Sequence, residues 1–127
     1  DQKELSEGRQ IIRNYNEMYS FIYHYFLREV GPIAENILEK YLNRLKIEQP
    51  ELFQRVTLRS NGTLSEERLI ENLKAIQKDR HSTLIKGLNE FIYSIIFVLR
   101  KTLGDEHDRN VLSTLKKTRP DFFSKTY

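Results

Sequence analysis

The sequence has no cysteine, no tryptophan, one methionine, three prolines and five glycines. Without cysteine there can be no disulfide scaffold, thiolate zinc site, iron–sulfur cluster or cysteine nucleophile. A reducing, cytoplasmic setting is the natural expectation. So few Pro and Gly leave little punctuation for a many-stranded sheet. Long apolar runs are also missing. The longest, Phe91 to Leu99, is interrupted by Ser94 and bounded by Glu90 and Arg100, whereas a bilayer span needs about 20 apolar residues. It reads as a buried core helix, and no membrane span is expected. No charged-then-apolar leader opens the chain, so no signal peptide is expected either.

What is present suits one helical domain. The chain has 127 residues, 39% apolar and 31% charged, a balance fitting helices with one buried stripe and solvated faces. Ile11, Tyr15, Met18, Ile22 and Phe26 recur at three- and four-residue steps, the signature of an amphipathic helix. Gly31-Pro32 ends it, and Ile33, Ile37, Leu38, Tyr41, Leu42 and Leu45 mark a second helix. Pro50 opens a short helical turn, and Val56 to Leu58 before Asn61-Gly62 suggests a brief hairpin. Ser65 followed by Glu66 and Glu67 reads as an N-cap and first turn. Gln77 to Thr83 is a polar interruption, where either one long helix runs through with a polar waist or, in the favoured reading, a break falls near Asp79 to Ser82; Gly104-Asp105 separates the last two helices.

The predicted fold is therefore all-α: an antiparallel four- to five-helix bundle with a short irregular or hairpin-like loop between helices 2 and 3. Helices are expected near 4–29, 32–46, 66–79, 83–103 and 106–118, with Ile22, Ile37, Leu73, Phe91, Ile95 and Leu99 in one core. Residues 1–127 form a single domain, read as a module of a longer protein, with 1–10 as a linker helix and 119–127 as a tail carrying Phe122 and Phe123.

Motifs that carry chemistry are few. His81 to Gly87 invites comparison with histidine phosphotransfer domains, whose motif places Lys three and Gly four residues after the His. Here Lys86 and Gly87 fall five and six after. Five residues rotate by about 140°, so Lys86 leaves the face of His81. His107, among Asp105, Glu106 and Asp108, lacks the apolar, Arg and Pro continuation of a kinase phosphoacceptor helix. His81 and His107 are the candidate phosphoacceptors of an alternative reading. His24 has no second His at metal-ligand spacing, and Thr57, Arg59 and Arg68 occupy positions where a calcium loop needs carboxylates. Asn61-Gly62-Thr63 matches a glycosylation sequon but serves equally as a turn. No cofactor, metal or catalytic residue is expected, and no enzyme activity.

Two further expectations concern partners. The excess of Arg109, Lys116, Lys117, Arg119 and Lys125 over Asp121 gives a mildly basic end. A helix-turn-helix across Gly104 would nevertheless begin its second helix with Glu106 and Asp108, which repel phosphate, so nucleic acid is a second alternative only. The first helix carries aromatic residues on several sides, more than the roughly 100° stripe one core requires. Tyr15, Tyr19, Tyr23 and Phe26 are thus candidate interface residues. The expected function is a non-enzymatic signalling or protein-interaction module, with a homodimer as the simplest case.

Overall fold

The computed structural model describes residues 2–118, and every regular element in it is a helix. The order is α1 (Gln2–Val30), α2 (Ile33–Glu48), α3 (Pro50–Phe53), α4 (Glu66–Ala75), α5 (Arg80–Leu103) and α6 (Asp105–Thr118). The expected tail and its Phe122 and Phe123 lie outside the described residues. Residues 2–10 are the opening turns of α1 and are tied to the rest of the fold: Gly8 is buried against Leu73, and Glu4 pairs with Arg80 at 2.9 Å.

Each junction follows from a local cause. Gly31 adopts φ +79° and donates its amide to the Leu27 carbonyl at 2.8 Å, closing α1 in the left-handed conformation glycine tolerates. Pro32 then takes the N-cap position of α2, which folds back along α1. Between α3 and α4 the chain makes the expected hairpin-like arm, reduced to one antiparallel bridge from Leu58 to Leu64. Asn16 of α1 holds that arm by exchanging two hydrogen bonds with the Leu64 backbone, at 3.0 and 2.9 Å.

Three expectations change. Ser65 precedes α4 as expected, but its hydroxyl makes no capping bond; it accepts the Thr57 amide at 3.0 Å instead, bracing the arm. The break between α4 and α5 falls earlier, at residues 76–79: Ile76 is extended and Asp79 is left-handed (φ +56°). The Arg80 guanidinium supports this corner through the carbonyls of Ile76 and Lys74, at 2.5 and 3.1 Å. Among the six expected core residues, Ile37 is only partly buried, because it sits on the flank of α2; the other five are enclosed.

α2 and α4 each run antiparallel to α1, while α1 and α5 rise together. Their contacts keep step: His81 to Glu4, Asn89 to Tyr15, Leu88 and Phe91 to Tyr19. α5 is the one described helix long and apolar enough to cross a membrane by length and composition. In this fold it is a central element, packed by α1, α2, α3 and α6, with Leu84, Leu88, Phe91, Ile92, Ile95 and Leu99 enclosed.

Candidate protein-interaction face

The aromatic residues of α1 turn inward. Tyr15 (5% exposed), Tyr19 (0%), Tyr23 (5%) and Phe26 (0%) are core residues, which corrects the expectation that they form an outer interface. The physical reason is that α1 is enclosed by α2, α4, α5 and α6, so a stripe wider than one neighbour needs is consumed by four. Tyr19 meets Phe91 edge-on at 5.0 Å and donates its hydroxyl to the Leu88 carbonyl at 2.5 Å. Tyr15 donates to Asn89 Oδ1. Burial pushes both phenols above their ordinary range. Gly62 lies directly on the Tyr23 side chain.

The two candidate phosphoacceptors stand at opposite ends of the bundle. His81, in the first turn of α5, has Nε2 3.0 Å from the Glu4 carbonyl, so that nitrogen carries the proton. Its Nδ1 faces the Glu7 carboxylate at 3.8 Å. One ring nitrogen of His81 is thus taken up by a backbone carbonyl, and the other faces a carboxylate. His107 on α6 packs edge-on against Tyr25, with Nδ1 2.7 Å from the Tyr25 hydroxyl and 3.8 Å from Glu29. Both imidazoles tie α1 to a neighbouring helix. Among the described residues, no three His, Asp or Glu side chains gather as metal ligands.

Exposed apolar surface lies elsewhere. The large apolar residues most open to solvent are Ile47 (82%), Ile33 (55%), Phe97 (51%) and Ile85 (38%). Two of them belong to α2. Its buried line is Ala34, Leu38, Leu42 and Leu45. A second line, Ile33, Ile37, Lys40, Arg44 and Ile47, follows steps of four, three, four and three. At 100° per residue these five side chains fall within an arc of about 80°. Ile33, Lys40, Arg44 and Ile47 are exposed and Ile37 half-buried. The hollow beside this line, about 520 Å³ and open to solvent, is bounded by Lys40, Tyr41, Asn43, Arg44 and Ile47.

The charge on this line is of one sign. Glu35 and Glu39 lie on the opposite flank of α2 by helical angle. Glu48 stands at the near edge and pairs with Arg44 at 3.4 Å, both groups more than half exposed. Lys40 sits 6.0 Å from the Tyr41 ring. On α5, Glu90 accepts from Gln49 at 2.5 Å, and this fixes which side of α5 meets the end of α2. Phe97 and Lys101 follow on that side, seven and eleven residues on, with the ammonium 5.2 Å over the ring.

A sequence signal for this face exists: Ile33 and Ile37 fall in the apolar spacing that marks the second helix, with Ile37 expected in the core, and Ile47 lies just past that helix's expected end at residue 46. No protein-family model, curated protein or solved structure matches the chain.

Proposed function

We propose that this domain is a non-enzymatic protein-binding module of the kind that links signalling chains. The observation that carries the reading is the outward line of α2, where Ile47 and Ile33 stand largely in water at the spacing of a helix-packing seam. Isolated exposed apolar residues are ordinary on a protein surface. Apolar residues repeated at a coiled-coil spacing on the solvent side of a helix are what a partner helix buries. The lack of cysteine fits a cytoplasmic setting.

The histidine phosphotransfer alternative is supported less well, since Nε2 of His81 is engaged by the Glu4 carbonyl and Lys86 and Gly87 fall out of the motif's register. For nucleic acid, the supporting feature is a shallow hollow on α6 bounded by Arg109, Lys116 and Lys117.

A photo-crosslinking amino acid at Ile47, in the protein made by its own cells, tests the main reading. Adducts of defined mass are expected, and they should vanish when Ile33→Asp is added. A probe at Gln10, exposed on α1, should give none of them. The same adducts from both positions, or none from Ile47, would overturn it.

A further inference from the structure

The α2 seam also indicates what it binds. Resting on the protein-binding reading above, we infer that the line Ile33–Ile37–Lys40–Arg44–Ile47 docks an amphipathic helix of another protein, with carboxylates at its two central seam positions and apolar residues at its ends.

The argument is one of charge and register. The seam is apolar at both ends and cationic at its centre. Its residues span 14 helical steps, roughly 21 Å at 1.5 Å per residue, which is the contact length of two heptads. A helix laid along it puts its central side chains against Lys40 and Arg44. An apolar residue there would strip water from Lys40 without compensation and leave Arg44 only its open pair with Glu48, and a basic residue would add repulsion. Glu or Asp satisfies both. Arg44 already meets one carboxylate, Glu48, through Nε in an open geometry at 3.4 Å, and a guanidinium has further N–H donors to offer a second.

A second copy of this chain is a poor occupant of this seam. Antiparallel pairing about a two-fold axis sets Lys40 against Lys40 and Ile37 against Arg44. Parallel pairing sets Lys40 against Lys40 and Arg44 against Arg44. Both orientations oppose like charges at the centre of the contact, which selects against self-pairing. On this seam a heterologous, acidic partner therefore fits better than the homodimer expected from the sequence.

The test uses the full chain and two synthetic peptides of about 21 residues. Both carry Leu at the outer seam positions; one has Glu and the other Lys at the two central positions. Titration calorimetry should show the Glu peptide binding about tenfold or more tighter, a preference worth about 1.4 kcal/mol. The double variant Lys40→Glu/Arg44→Glu should reverse the order. Lys40 and Arg44 are exposed, so circular dichroism should show this variant folded as the parent is. Equal binding of the two peptides, no binding of either, or a preference unmoved by charge reversal overturns the inference. So does a dimer in light scattering that Ile47→Asp dissolves, or binding of phosphatidylglycerol vesicles that Ile47→Asp abolishes in the absence of peptide binding. If the peptides fail while Ile47 still crosslinks to a protein in cells, the acidic helix is wrong and the protein-binding reading stands.

Discussion

Replacing Gly62 by Ala should be among the most damaging single changes in this domain, although it adds one methyl group to a loop. Gly62 has φ +85°, where an L-residue loses about 1–2 kcal/mol. A Cβ built there would also collide with the Cβ of Tyr23 and lie 2.7 Å from Cγ and 3.0 Å from Cδ2. A Cβ is fixed by the backbone of α1 and cannot rotate away, so the loop must lift. Lifting weakens the paired Asn16–Leu64 hydrogen bonds and the Gly62-to-Arg59 turn bond. Overpacking of this kind costs about 1–3 kcal/mol, so the total is about 2–5 kcal/mol, a large part of the 5–15 kcal/mol typical of a domain. Gly31→Ala supplies the control. Its φ of +79° is nearly the same, but nothing lies within 4 Å of its added Cβ, so it should lose the backbone part alone. Urea unfolding of both variants, followed by helical circular dichroism, separates strain from collision. In a double-mutant cycle, Tyr23→Gly, which removes the Cβ as well as the ring, should make Gly62→Ala less costly. The reasoning fails if Gly62→Ala is no worse than Gly31→Ala, or if Tyr23→Gly brings no relief.

Asn72 is buried and donates to the carbonyls of Leu52 and Gln54 at 2.7 and 2.9 Å, closing the end of the four-residue α3. Asn72→Ala should cost about 1–3 kcal/mol in urea unfolding, because the buried Leu52 carbonyl and the partly buried Gln54 carbonyl lose their donor; a cost near zero would show that α3 needs no such support. Glu66 accepts from Arg13 at 2.9 Å and Arg9 at 2.6 Å, bonds that hold its carboxyl below the usual carboxylate range, Arg13 being the larger cause. With its folded pKa depressed, it contributes stability present above the unfolded value and lost as pH falls through the folded one. Melting temperature at low salt should therefore drop as pH falls below roughly 4.5, and Glu66→Gln should flatten that limb. An unchanged acid limb in Glu66→Gln would refute it. Incubation with acetyl phosphate or a phosphodonor kinase should leave His81 and His107 unmodified; acid-labile phosphate on the chain that disappears in His81→Asn would restore the phosphotransfer reading.

The periodicities that define α1, α2, α4, α5 and α6 were legible because helix formation is local: apolar residues three and four apart mark one face whatever the face later meets. Gly31-Pro32, the short helix after Pro50 and the Asn61-Gly62 turn were legible for the same reason, as backbone preferences of single residues. The break before α5 was placed late because its cause is not local. Asp79 is held left-handed in a corner where Arg80 gathers carbonyls from Ile76 and Lys74 and pairs across to Glu4.

Burial depends on how many neighbours surround a helix, and tertiary structure alone decided that. The aromatic excess of α1 matched an interface as well as a core until α2, α4, α5 and α6 were seen to enclose it. On α2 the converse holds. Ile33 and Ala34 are adjacent in sequence and 100° apart on the helix, yet one is 55% exposed and the other fully buried. Two lines of side chains competed for the core, and the Gly31 corner and the hold of Gln49 on Glu90 set the rotation of α2 that buried Ala34, Leu38, Leu42 and Leu45. The line left outside owes its exposure to that rotation, since a helix can turn only one face toward the same neighbour.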